Sequence, residues 1–153
     1  MFKFKFDNYK KIERMENNLI ETFSPMSDNM VTYGITMGDQ AGAALNKDGT
    51  VTLWGDGEKG GSNNTGVDLT NVKAISMGGF AGAALKNDGT VVTWGHPENG
   101  GNSSGVSFEN IKAISMGGFA GAALTNDGNV ITWGMSVFGG DSNSVQDELT
   151  DIV

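Results

Sequence analysis

The sequence predicts an all-β chain: a partial β-propeller of three blades, each a four-stranded antiparallel sheet, preceded by a short strand and an amphipathic helix. Three observations carry this reading. Ala74 to Leu85 (AISMGGFAGAAL) recurs unchanged at Ala113 to Leu124, 39 positions on. A looser copy, Met37 to Leu45 (MGDQAGAAL), stands upstream, where Trp54-Gly55 precedes Trp94-Gly95 by 40 positions. Each copy also sets Asp-Gly between two apolar runs, at Asp48-Gly49, Asp88-Gly89 and Asp127-Gly128. A fixed period of this length marks a stack of one supersecondary unit. A four-stranded unit of about 40 residues is a propeller blade.

Residues 1–28 precede the repeats. Met1 to Phe6 reads MFKFKF, with Phe2, Phe4 and Phe6 on one face and Lys3 and Lys5 on the other. Such alternation argues a half-buried strand. From Tyr9 to Phe23, Ile12, Met15, Leu19, Ile20 and Phe23 form one apolar stripe at helical spacing. Ser24-Pro25 ends the helix, because the residue before proline is driven out of the helical region. This lead-in either caps an open blade face or serves as a dimerisation helix.

Residues 29–153 hold the repeats, at about 29–70, 71–109 and 110–149. The Lys-Ala-Ile-Ser run of the second and third repeats, replaced by a worn version with Tyr33-Gly34 in the first, predicts one strand. Ala81 to Leu85 predicts an inner strand whose tiny residues let blades crowd together near the axis. Asp-Gly then predicts a type I′ hairpin turn, in which both central residues take positive φ. Thr90 to Trp94 are strand formers, and a fourth short strand is expected after Gly100-Gly101. Trp54, Trp94 and Trp133 are expected in the blade cores. Leu149-Thr150-Asp151-Ile152 matches Leu69-Thr70-Asn71-Val72, so the sequence runs into the first strand of a fourth blade.

The motif resembles the RCC1-like repeat, which runs Gly, then Ala-Leu, Asp-Gly and Trp-Gly. Gly78, Ala84, Leu85, Asp88, Gly89, Trp94 and Gly95 stand at matching places, as do Gly117, Ala123, Leu124, Asp127, Gly128, Trp133 and Gly134. The family's His-Thr pair is replaced by Ala81-Gly82 and Ala120-Gly121. Its Gly-Gln-Leu-Gly stretch is replaced by Gly100-Gly101-Asn102 and Gly139-Gly140-Asp141. The chain is thus similar to a divergent bacterial form of the family. The resemblance implies a β-propeller fold and does not extend to nucleotide exchange.

Composition narrows the function. The 153 residues carry a net charge of −8, which argues against nucleic acid or an anionic membrane and favours a basic protein partner. Without cysteine there is no disulfide, thiol nucleophile or thiolate metal site. No run of 18 apolar residues occurs, and the N-terminus lacks the apolar core of a signal peptide, so a cytoplasmic protein is expected. His96, the one histidine, sits in a loop with no clustered partner. The Asp-Gly carboxylates read as turn residues and the Gly-Gly pairs as loop corners, so no enzyme, cofactor or metal is expected.

Comparing the copies separates scaffold from variable loops. One variable window follows Met-Gly: Asp39-Gln40, Gly79-Phe80 and Gly118-Phe119. The other is the tetrapeptide after Trp-Gly: Asp56-Gly57-Glu58-Lys59, His96-Pro97-Glu98-Asn99 and Met135-Ser136-Val137-Phe138. Loops on a rigid scaffold are where recognition resides. Asp39, Gln40, Asp56, Glu58, Phe80, His96, Glu98, Phe119 and Phe138 are therefore the candidate partner-binding residues, although Phe80 and Phe119 would equally suit packing between blades. Three blades leave two faces open. Burying roughly 500 Å² on each, at about 25 cal/mol per Å², is worth on the order of 12 kcal/mol. That figure rivals the stability of a whole domain, so a dimer closing a ring is expected, with Phe2, Phe4, Ile12, Leu19 and Ile152 at the closure. The favoured function is a protein-binding module of the inhibitor or immunity type, directed at a toxin or enzyme. The alternatives are a self-association domain or fragment of a larger repeat protein, and an effector acting on a host GTPase.

Overall fold

The computed structural model describes residues 34–153. The expected N-terminal strand and helix, and with them Phe2, Phe4, Ile12 and Leu19, lie outside the described residues.

Each repeat folds into one antiparallel sheet of three strands: β1 (Ile35–Met37), β2 (Ala41–Leu45) and β3 (Val51–Gly55); β4 (Val72–Met77), β5 (Ala81–Lys86) and β6 (Val91–Gly95); β7 (Ile111–Met116), β8 (Ala120–Thr125) and β9 (Val130–Gly134). The register repeats, with Gly42 opposite Trp54, Gly82 opposite Trp94 and Gly121 opposite Trp133. Small residues in the middle strand and β-branched residues in the third suit a pleated surface buried on both sides.

Among the described residues no sheet has the expected fourth strand. After Gly60-Gly61 the backbone groups are taken by side chains instead of a ladder. Asn63 accepts from the Val67 N–H at 3.0 Å and donates to the Val67 carbonyl at 2.7 Å. Asp68 Oδ1 accepts from the Thr70 N–H at 3.0 Å and the Thr70 hydroxyl at 2.7 Å. Asn and Asp offer the backbone this alternative to strand pairing. The segment runs over the outer edge as coil and still contributes Leu69 to the core.

The hairpin turns also differ from expectation. Gly49, Gly89 and Gly128 take φ of 81°, 86° and 81°, but the aspartates before them stay at negative φ. The Gly49 N–H donates to the Asn46 carbonyl at 3.0 Å, closing a type I turn with glycine in the left-handed position after it. Asp48 fixes this form by accepting from the Thr50 N–H and hydroxyl at 3.0 and 2.7 Å. Asp88 does the same with Thr90.

The three sheets stack through their faces, and the first strands β1, β4 and β7 lie side by side. The Met77 N–H donates to the Thr36 hydroxyl at 3.1 Å, and the Met116 N–H to the Ser76 hydroxyl at 2.9 Å. Glycine is obligatory at this inner edge: a Cβ on Gly78 would stand 1.9 Å from the Gly117 carbonyl oxygen. Two apolar clusters fill the two boundaries. Ala43, Leu45, Val51 and Leu53 meet Val72, Met77, Ala84 and Trp94 at the first. Ala83, Leu85 and Val91 meet Ile111, Met116, Ala123 and Trp133 at the second.

Trp94 and Trp133 are buried, as expected for blade core. Trp54 is not: it remains 38% exposed. The face of the first sheet that carries it has no sheet packed on it among the described residues. At the C-terminal end Leu149 to Val153 form no strand, and Ile152 is 38% exposed.

A candidate protein-binding rim

The two variable windows, distant in sequence, meet at one end of the stack. The antiparallel return of each hairpin brings Ala81 opposite Gly95, so the residues flanking that pair must touch. The contact repeats in every sheet: the Asp56, His96 and Met135 N–H groups donate to the Gln40, Phe80 and Phe119 carbonyls at 2.9, 2.9 and 3.0 Å. A short 3-10 turn follows in each case, Gly57–Lys59, Pro97–Asn99 and Ser136–Phe138, closed by a left-handed glycine.

An aromatic ladder runs along this rim. Phe80 stacks on Phe119 with ring centroids 5.0 Å apart, and Phe119 stacks on Phe138 at 4.6 Å. His96 meets Phe80 edge-on at 6.4 Å, and its Nδ1 is buried with no hydrogen-bond partner among the described residues. Lys59 lies over the other side of Phe80, 5.2 Å from the ring centre, and donates to Gln40 Oε1 at 2.8 Å. Phe80 and Phe119 are half-buried, whereas Val137 and Phe138 are 81% and 58% exposed. Stacked rings of this kind contribute about 0.5–1.5 kcal/mol per pair beyond area burial.

Acidic side chains flank the ladder. Asp39, Asp56, Glu58 and Glu98 are all exposed. Asp56 Oδ1 accepts from the Glu58 N–H at 3.0 Å, and its other oxygen stands 4.0 Å from Lys59 Nζ. Lys59 and Val137 belong to the rim; both lie in the variable tetrapeptides after Trp-Gly but are not among the expected partner-binding residues. Lys59 occupies the same repeat position as Phe138, and that alignment was the available signal. Ile152 lies away from this group, its N–H donating to the Gly128 carbonyl at 3.0 Å.

Among the described residues, no three of His, Asp or Glu gather into a metal-binding group. No described helix is long and apolar enough to cross a membrane.

The family model of the regulator of chromosome condensation (RCC1) repeat matches residues 72–100 and 111–139. The second and third repeats are RCC1 repeats. The matched stretches start with β4 and β7 and end at the glycine corners after the second and third sheets. No curated protein sequence matches the chain. Among solved structures it is similar to human WBSCR16, with 23% identity and a TM-score of 0.55 over 65% of this chain and 32% of that one. It is similar to the CRINKLY WD40 ectodomain of the Arabidopsis thaliana receptor kinase ACR4, with 19% identity and a TM-score of 0.52 over 71% and 38%. Prp20p from Saccharomyces cerevisiae shares 22% identity and a TM-score of 0.53 over 65% and 30%. The RCC1-repeat chain thus spans about a third of the length of these structures, and the likeness is one of fold: a partial β-propeller.

Proposed function

We propose that this RCC1-repeat chain is a non-enzymatic protein-binding module whose contact surface is the rim built on Phe80, Phe119 and Phe138. The observation that supports it most is the aromatic ladder, presented at the loop end of a rigid stack and flanked by Asp39, Asp56, Glu58 and Glu98. Large rigid rings are the residues that dominate interface energies. The surrounding carboxylates select a basic patch on the partner and speed its approach. Among the structural neighbours, Prp20p has binding properties toward Gsp1p and histones, and Kap60 binds yeast RCC1 (Prp20). In its narrower form the proposal is an inhibitor or immunity-type protein of the cytoplasm, covering a basic toxin or enzyme.

The test is capture from a lysate of the source cell on the immobilised chain, with bound proteins identified by mass. A Phe80→Ser/Phe119→Ser variant serves as the comparison, its fold checked by circular dichroism. The proposal expects a basic protein held by the wild type and lost by the variant, and an activity of that protein suppressed by added chain. Equal capture by both forms overturns the assignment of the rim. A second reading, self-association, rests on a different surface: the open faces of the first and third sheets.

A further inference from the structure

Both internal blade boundaries are built by the same lock. The Trp94 indole donates to the Gly60 carbonyl at 2.9 Å, and the Trp133 indole to the Gly100 carbonyl at 3.1 Å. Met77 and Met116 lie alongside, their Cε atoms 3.0 Å from where a Cβ on Gly60 or Gly100 would stand. A hydroxyl on the preceding sheet, Thr36 or Ser76, receives the N–H of that methionine. One face of a blade therefore presents methionine and tryptophan. The facing blade presents a glycine corner, a hydroxyl and a floor of small and branched residues.

Among the described residues, the first and third sheets each carry one half of this lock without the other. On the first sheet Met37 and Trp54 are 60% and 38% exposed, where Met77 and Trp94 are 5% and 0%. The half is already formed, since a Cβ on Gly42 would stand 2.3 Å from the Trp54 ring, as one on Gly82 would stand 2.4 Å from Trp94. On the third sheet nothing lies within 4 Å of the Cβ position at Gly139, the place that Trp and Met fill at Gly60 and Gly100. Ser115, the counterpart of Ser76, is exposed. Ala122, Leu124 and Val130 are half-buried, whereas Ala83, Leu85 and Val91 are 0%, 1% and 9% exposed. Asp151, at φ 57°, repeats the turn that Asn71 and Asn110 make at 56°, so Ile152 stands beside this seat where Val72 enters the second sheet.

We propose that copies of this chain assemble head to tail, with Met37 and Trp54 of one copy seated at the Gly139 corner and Ser115 of the next. A second copy is the occupant because the chain itself carries the surface that fits the vacant seat, the same pairing it uses twice internally. The contact is heterologous, so each copy keeps one donor face and one acceptor face. A preformed knob loses little side-chain freedom on docking, which favours the association. At the outer end the fit is more polar than inside, because Thr52 replaces Val92 and Ile131 and shares hydrogen bonds with Asn46.

The experiment is light scattering on the full chain across a micromolar concentration series, with two variants. Wild type is expected at twice the chain mass or more. Met37→Asp/Trp54→Ser and Ala122→Glu are each expected to weaken association by at least about thirtyfold, the effect of losing one interface anchor. Mixed together they are expected to form one-to-one pairs, because the first keeps its seat and the second keeps its knob. Circular dichroism and urea midpoints establish that the variants fold, and Leu124→Lys replaces Ala122→Glu if that one does not. A wild-type monomer throughout the series, whatever fills its two faces, overturns the proposal. Folded variants that fail to pair when mixed overturn it equally. Neither result bears on the rim, whose test changes Phe80 and Phe119.

Discussion

The Ser76 hydroxyl accepts the Met116 backbone N–H at 2.9 Å, joining the inner strands of two successive blades. The bond satisfies a backbone donor that no strand partner reaches, because β4 and β7 belong to different sheets. Ser76→Ala leaves that N–H in a partly buried boundary without an acceptor, and the expected loss is about 1–2 kcal/mol. Ser115→Ala removes the same hydroxyl from the open face of the third sheet and is expected to change stability by less than about 0.5 kcal/mol. Urea unfolding at low protein concentration reads both. Equal effects would mean that the inner hydroxyls act within their own strands rather than between blades.

The tryptophans predict a similar contrast. Trp94→Ala opens a cavity in the first boundary and removes the donor to the Gly60 carbonyl, with an expected cost of about 3–5 kcal/mol. Trp54→Ala, at a side chain 38% exposed, is expected to cost less than about 1 kcal/mol in the monomeric chain. Thermal or urea unfolding of the two variants side by side decides the matter.

Close approach at the inner edge gives a third prediction. A Cβ on Gly78 would lie 1.9 Å from the Gly117 carbonyl oxygen, which is backbone and unable to swing aside. Gly78→Ala must therefore push two blades apart, at about 3 kcal/mol, the upper end for overpacking. Gly105→Ala is the control, since a Cβ there meets nothing within 4 Å. It is expected to be neutral within about 0.5 kcal/mol on the same unfolding assay.

These contrasts trace what could be seen in the sequence. Three blades were legible because AISMGGFAGAAL and Trp-Gly recur with their spacing intact, and repetition fixes which residues share a role. The pairing of Ala81 with Gly95 follows once a hairpin is placed at Asp88-Gly89, so the meeting of the two variable windows was within reach. Strand number was not legible: Asn63 and Asp68 divert the backbone donors of the linking segment into side-chain bonds, and their spacing alone does not announce it. Trp54 misled for another reason. Its local pattern equals that of Trp94, but burial depends on what stands opposite, and a repeat motif carries no information about its neighbour. Lys59 stood in a variable window without being singled out, because its role comes from Phe80 of the following blade, not from its own.

The linking segment also carries a pH dependence. Asp68 accepts hydrogen bonds from the Lys86 ammonium, the Thr70 hydroxyl and the Thr70 N–H, the first contributing most, and these hold its carboxyl at about 2 against an ordinary 3.8. Lys86 ends β5, so the pair ties the linker to the second blade. A carboxyl that ionises more readily in the folded chain binds fewer protons there than in the unfolded chain. Its stabilising effect is complete above about pH 4 and disappears as the pH falls through about 2. Asp48 and Asp88, lowered by their Thr50 and Thr90 hydroxyls, act in the same direction. Because all three carboxyls face solvent, water screens the effect and salt weakens it. Urea midpoints measured from pH 5 to pH 2 are expected to fall for the wild type. Asp68→Asn is expected to begin lower at pH 5 and to fall less. Parallel curves for the two proteins would show that the Lys86 contact contributes nothing to holding the linker.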